Sequence, residues 1–555
     1  MRTQINIFVI VILASCLTYS CTDVLDVEPQ GALVEGVEVD AQIMDKLITS
    51  VYAGLTSRFI NLHHVTFQGP TSNWIADVRS DDAYKGGGGI VDQVPIHQCE
   101  TYTLNASNDI AYNKWLNLTW AISRVNNALR TLDAYQNPNY PKATRSAELR
   151  FLRGHFMFDL LRNYNHVPWL DDKTLATDAS NRQYQPSEVL AKIIEDFKAA
   201  YDVLPTTQPE SARVNKLTAA AYLAKAYTEN KQWDEAIKYA DEVINSGKFG
   251  LIKEFEDLAT IEEENGREMV FTVQFAYTQN PDLGHNIGNI LNVTYSNVYP
   301  GGDDFYLGSQ NLINAFKTDQ NGLPLFDTFN VGNDITDSSY SNNIDPRLDF
   351  TFGRPGVPWK KTGVYTYPEW RRSLDYERNY SSKKHVIDAG DPRIHNGLPW
   401  GASGLNFCII RYAEVLLWKA EALIESGKAN EALPLINEVR NRAKGSTYVR
   451  SVDGTRPAGN YNIGLYPLQN WSQDYARKAL RMERRLELAM EGHRLYDLNR
   501  WGITAQTINK YLVEEASKTP YLNGVTFTEG KHEYLPIPQS EIDKAPSLYK
   551  QNNGY

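Results

Sequence analysis

The chain has 555 residues, 42% hydrophobic and 22% charged, the balance of a protein that folds over most of its length rather than staying disordered. A formal net charge of −11 leaves no basic footprint for a phosphate backbone, which sets nucleic acid aside as the expected partner. Cysteines number 4, too few for a disulfide framework.

At the N-terminus, Arg2 precedes the apolar run Ile5 to Ala14, the pattern of a secretory signal peptide. A bilayer span needs ~20 apolar residues, so the run predicts export rather than a retained anchor. Two cysteines follow it. Leu13-Ala14-Ser15-Cys16 is the better local match to a bacterial lipobox, in which a cysteine after small residues is lipidated and becomes the first mature residue; Ser20-Cys21 is the looser match. Several acyl chains on such a cysteine hold a protein to a membrane, where a single chain binds only marginally. The bland alternative is a soluble exported protein with ordinary leader residues.

Beyond the leader, apolar periodicity predicts helices over Ala121 to Leu132, Ser146 to Tyr164 and Pro186 to Leu204. Two distant segments then read alike: AAYLAKAYTENKQWDEAIKYADEVI and LLWKAEALIESGKANEALPLINEVR. Ala224 and Ala236 correspond in spacing to Ala420 and Ala432, Ala240 to Ile436, and Val243 to Val439. Small residues at such places let two antiparallel helices approach closely, the logic of tetratricopeptide-type repeats. Neither Ser246-Gly247-Lys248 nor Ser426-Gly427-Lys428 has the upstream glycine of a phosphate-binding loop, so these glycines mark helix ends or turns. The interval from about 254 to 406 is rich in Gly, Pro, Asn and aromatics, with short strand-like runs such as Met269 to Val273. Loops of that length are functional or disordered, and these are too aromatic for disorder. Farther on, Asp474 to Arg500 reads as one long helix, with Met482, Leu486, Ala489, His493 and Tyr496 on one face. Arg484 with Glu487, and Glu491 with Arg494, are spaced to pair along it.

Catalytic chemistry has few candidates. Asp81 with Asp82, and Asp303 with Asp304, are adjacent acids that a glycosidase reading would call on, but solvated turns are the expected explanation. His63-His64 lacks the helical spacing of a zinc protease, and Asp81 and Asp82 do not complete a calcium pattern, so no metal or other cofactor is expected. Gly86 to Gly89 supplies a loop with backbone freedom. Cys408, in Phe407-Cys408-Ile409-Ile410, reads as a buried free thiol.

Sugar binding asks for less: an exposed aromatic plate for the apolar face of the ring, with polar neighbours for the hydroxyls. Two regions supply both. One holds Asn73, Trp74, Asp81 and Tyr84; the other holds Trp359, Tyr365, Tyr367, Trp370 and Arg371. Loop aromatics also pin loops, and Trp115, Trp120, Trp233, Trp418 and Trp501, in or beside helical patterns, are expected in the core.

Four blocks in order along the chain, AELRFLRGHFMFDLLRNYNHVPW, IIRYAEVLLWKAEALIESGKANEALPLINEVRNRA, ERRLELAMEGHRLYDLNRWG and EYLPIPQSEIDKAPSLYKQNNGY, strongly resemble the RagB/SusD family of bacterial surface lipoproteins. NNIDPRLDFTFGRP and SSKKHV are similar to a common subgroup of it. CTDVLDVEP is similar to the family's usual mature start, which moves the expected lipidation from Cys16 to Cys21. The resemblance implies a mainly α fold, a tetratricopeptide-like helical-repeat scaffold with an irregular, loop-rich insert carrying short strands. Its parts would be a signal peptide at 1–20 and a SusD-like protein at 21–555, with scaffold segments about 40–253 and 407–555 and a ligand-binding insert about 254–406. It further implies a non-catalytic, surface-exposed outer-membrane lipoprotein that captures a glycan and passes it to a SusC-like TonB-dependent transporter. A secreted glycoside hydrolase, a helical protein-interaction scaffold and a peptide-binding importer component are the alternatives. In glycan-binding relatives, aromatics in the two regions named above often build the site, a transfer by location and residue type only.

Overall fold

The computed structural model describes residues 39–56, 73–174, 177–278, 284, 286–299, 301–361, 363–365, 369–373, 380–394, 401 and 403–555. Cys16, Cys21, His63, His64 and Tyr367 lie outside them.

Capping residues fix where the N-terminal helices begin. Asp40 accepts from the Ile43 amide to open α1 (Ala41–Ala53). After the short α2 (Trp74–Val78), strand β1 (Ala83–Gly86) and α3 (Val94–Glu100), Asn108 caps α4 (Asp109–Ala134) at two amides. α5 (Lys142–Tyr164) follows, and α6 (Pro186–Val203) opens on a proline with the Glu188 carboxylate returning to the Gln185 amide. Asn215 caps α7 (Lys216–Glu229), which turns into α8 (Trp233–Asn245). Consecutive helices from α4 to α8 pack side by side.

The segment that follows carries strands β2 (Met269–Val273) and β3 (Phe305–Gly308), short helices α9 (Gln310–Ala315) and α10 (Arg347–Thr351), and strands β4 (Pro358–Trp359) and β5 (Gly363–Val364). β6 (Phe407–Arg411) runs directly into α11 (Tyr412–Glu425), and α12 (Ala429–Gly445), α13 (Gln473–Glu487), α14 (Arg494–Trp501), α15 (Thr504–Glu515) and α16 (Gln539–Lys544) complete the chain. The strands form two-stranded antiparallel pairs: β1 with β3, β2 with β6, and β4 with β5. The first two pairs stitch the irregular segment to the helices on either side of it.

The two segments that read alike are hairpins α7–α8 and α11–α12, and α11 packs on both α7 and α8. Ala224, Ala236, Ala240 and Val243, with their counterparts Ala420, Ala432, Ile436 and Val439, all have 0% exposure, the close approach their size permits. Trp115 and Trp418 are in the core as expected; Trp120 and Trp233 are partly buried against it, and Trp501 against a separate, smaller cluster. Cys99 is buried and Cys408 half-buried, both as free thiols.

The long helix expected over Asp474 to Arg500 is two helices. The chain breaks at residues 488–493, where Met490 and Gly492 take positive φ values of 64° and 79°. The Asp77 carboxylate accepts from the Gly492 and Arg494 amides (2.9 and 3.0 Å), so a residue from α2 supplies the cap that starts α14. The charge pairs expected along that helix go elsewhere as well. Arg484 makes two bonds to Asp497, and Arg494 makes two to Asp81. Glu487 collects Arg347, Arg411 and Arg442, and Glu491 takes Lys384 and Arg411. Buried charges find strong partners across the fold because an unpaired one is costly to desolvate.

Candidate ligand-binding face

Most of the aromatics expected to meet a ligand fill space inside the protein. Trp74, Tyr84, Trp359, Tyr365 and Trp370 each retain 4% exposure or less. Trp359 donates its indole N–H to the Tyr299 hydroxyl (3.1 Å), stacks with Tyr365 at 5.8 Å between centroids and meets Trp370 edge-on at 5.5 Å. Gly353 lies against this cluster, where a Cβ would sit 2.5 Å from the Tyr365 ring. The trio is therefore the heart of a separate hydrophobic cluster with Val293, Val386, Ile387, Ile394 and Leu405. Burial consumes the ring faces that sugar stacking would need. Arg371 is half-buried beside it.

The first region is buried too. Trp74 packs on Tyr306 (5.6 Å between centroids), and Tyr84 donates to Glu515 while accepting from the Gln310 amide. Asn73 accepts from Lys114 (3.1 Å) and lines an interior cavity with His155, Asp159, Lys225, Glu491 and His493. At about 20 Å³ the cavity has room for water, not for a sugar ring. Asp81 and Asp82 are not the solvated turn acids that were expected. Both are buried, and Asp81 pairs with Arg494 and Arg485. Burial alone would raise the Asp81 carboxyl, but the two guanidiniums outweigh it and hold it well below the usual range. Asp304 is likewise buried and accepts from the Ser381 hydroxyl (2.7 Å).

Exposed rings stand elsewhere in the same irregular segment. Tyr277 and Tyr295 are 44% and 42% exposed. The Gly404 backbone lies against the Tyr277 amide, and Gly401 lies against the Val293 side chain, two residues before Tyr295. Beyond Tyr295 the chain folds back, the Asp304 amide donating to the Val293 carbonyl (2.8 Å), which brings up Asp303. Arg372 pairs with Asp303 and sits 3.3 Å from Asp92, in the loop that follows the glycine run. That run does use its backbone freedom, with positive φ at Gly86, Gly87 and Gly89. Burial pushes the Asp303 carboxyl up to about 6, Arg372 opposing and Asp92 adding to the rise. Half-exposed rings in a segment that also brings up an acid and a guanidinium are suited to stacking on an apolar ring face and bonding its hydroxyls. The sequence signal for these tyrosines is weak: FAYTQN and VTYSNV set them among polar and turn-forming residues, whereas the denser Trp and Tyr cluster drew attention and is core.

Helix hairpins packed in series, with a loop-rich segment between two of them, define a tetratricopeptide-like helical-repeat protein. The family model described as "SusD family" matches residues 267–555, and one described as "Starch-binding associating with outer membrane" matches residues 23–228. The chain belongs to the SusD family. It is 27% identical over 470 residues to SusD-like protein P2 of Formosa agariphila, an alignment covering 82% of this chain and 83% of that one. Among solved structures it shares its fold with a laminarin-binding SusD-like protein (22% identity, 93% of this chain and 100% of the other, TM-score 0.68). It also shares it with surface glycan-binding protein A from Bacteroides thetaiotaomicron in complex with laminarihexaose (19% identity, 92% and 99%, TM-score 0.68).

Proposed function

We propose that this protein is a non-catalytic, surface-exposed lipoprotein of the outer membrane, anchored at Cys21, that captures a glycan and delivers it to a SusC-like TonB-dependent transporter. Its parts would be a leader at 1–20, a helical scaffold at about 40–253 and 407–555, and a ligand-bearing insert at about 254–406. The observation that carries glycan binding is the exposure of Tyr277 and Tyr295 in the irregular segment, where the chain after Tyr295 folds back to bring up Asp303 with its partner Arg372. Family membership and the laminarin and laminarihexaose bound by proteins of the same fold support the ligand class. Tethering the binder to the transporter's own membrane makes delivery a high effective-concentration event.

Affinity gel electrophoresis through laminarin and other polysaccharides tests the ligand face. Replacing both tyrosines by alanine is expected to abolish most retention, each ring contributing ~0.5–1.5 kcal/mol. Retention equal to the parent's would sink the tyrosine face, and new reducing ends in the polysaccharide would favour the hydrolase alternative. Mass spectrometry of the membrane-extracted N-terminus tests the anchor: acyl chains on Cys21 are expected, and a lipid on Cys16 or a bare Cys21 would refute it.

A further inference from the structure

Away from the tyrosine face, α13, α15 and the 326–329 turn enclose a cleft of about 310 Å³, at the small end of ligand sites (~300–1,000 Å³). Its lining is electropositive: five cations, Lys478, Arg481, Arg485, Arg494 and Lys510, against the carboxylates of Asp81, Asp327 and Glu514. Four of these cations are answered from within the protein. Arg485 bonds Asp82 and Asn311, Arg494 is bidentate on Asp81, Lys478 pairs with Asp327 (2.8 Å) and Lys510 with Glu514 (3.7 Å).

Arg481 is the exception. Among the described residues no carboxylate lies within 4.0 Å of it and no acceptor takes its hydrogen bonds, although its Nε is buried. Glu421, the acid that acts on it most, is already committed to Arg500 and to the Trp501 indole N–H. Instead the Arg481 guanidinium rests 5.0 Å from the centre of the Trp501 ring. A guanidinium laid on an indole keeps its planar fork of donors directed outward, preorganised for a flat, two-oxygen partner. Gln506 and Thr507, on the α15 wall of the same cleft, spend no side-chain hydrogen bond within the described protein. Phe329 and Ile503 add apolar surface between these polar groups.

We propose that this cleft is a second binding site, specific for an acidic sugar, in which Arg481 takes the carboxylate of one sugar residue bidentately and Gln506 and Thr507 bond its hydroxyls. A bare inorganic anion would use the guanidinium and leave the amide, the hydroxyl and the apolar wall without partners; a neutral sugar would leave Arg481 unanswered. The proposal stands independently of the tyrosine face, which contributes no residue to the cleft.

Titration calorimetry on the purified mature protein at low salt tests it, with sodium D-glucuronate, D-glucose and sodium sulfate as probes. Glucuronate is expected to bind at least ~10-fold more tightly than either of the others, the margin of one charge-assisted pair. Arg481→Gln should erase that margin with no more than a small drop in melting temperature, since Arg481 holds no ion pair and loses only its contact with the Trp501 ring, while the double tyrosine variant should keep it. If Arg481→Gln misfolds, Arg481→Lys, which retains charge but not the fork, should still weaken glucuronate relative to the parent. Glucuronate binding no tighter than glucose, sulfate binding as tightly as glucuronate, no binding at all, or an unaltered Arg481 variant would each overturn the assignment.

Discussion

Trp359 and Tyr295 lie in the same irregular segment and face opposite fates. Trp359, fully buried, fills space among Tyr299, Tyr365 and Trp370, so Trp359→Ala belongs in the gel comparison as a variant with the reverse signature. It is expected to cost ~3–5 kcal/mol of stability, read from urea denaturation, through the cavity it leaves. Tyr295→Ala should leave the urea midpoint near the parent's. Sequence could not separate the two residues. Helical and strand periodicity assigns a face to Ala224 or Val439, but a segment whose loops follow no period gives each aromatic no inside or outside. Asp81 illustrates the same limit for charge: its guanidinium partners lie more than 400 positions away, at Arg485 and Arg494.

The break between α13 and α14 is the element that departs most from the sequence pattern. Apolar steps of three and four run through it without interruption, and only Gly492 hints at a turn. Its φ of 79° and the Asn73 backbone 3.0 Å from where a Cβ would be leave no room for a side chain. Gly492→Ala is expected to lose more than ~1 kcal/mol, against a near-neutral effect at an open helix site, with thermal melting as the measurement. An unchanged melting temperature would mean that the turn relaxes freely. The hairpins were legible because their small residues repeat at fixed spacing. The cap from Asp77 was not, since a residue far away in sequence completes it.

For the molecule as a whole, buried ion pairs join the irregular segment to the helices, and they make stability depend on pH. Glu487 accepts from Arg347 and Arg411 and pairs with Arg442; although burial acts to raise its carboxyl, these cations bring it down to about 2. A folded-state value below the unfolded one, ~4.3 for a free Glu, contributes stability that is complete above about pH 5 and is lost as pH falls toward 2. Asp77 has the opposite sign. Burial first, then Asp82, raises it to about 7, so its contribution is complete below about pH 4 and fades as pH rises through neutrality. Urea midpoints should therefore fall along an acid limb between pH 5 and 2, and Glu487→Gln should make that limb shallower. Parallel limbs in parent and variant would show that Glu487 is not its source.

The two similar hairpins touch each other although the whole irregular segment is threaded between them. In polymer terms that segment is a loop whose ends are clamped by α8 and α11. Closing such a loop loses entropy only as the logarithm of its length, ~0.6 kcal/mol for each doubling. Within that entropic term, the loops bearing Tyr277 and Tyr295 can be lengthened or trimmed at little cost while the clamp stays shut.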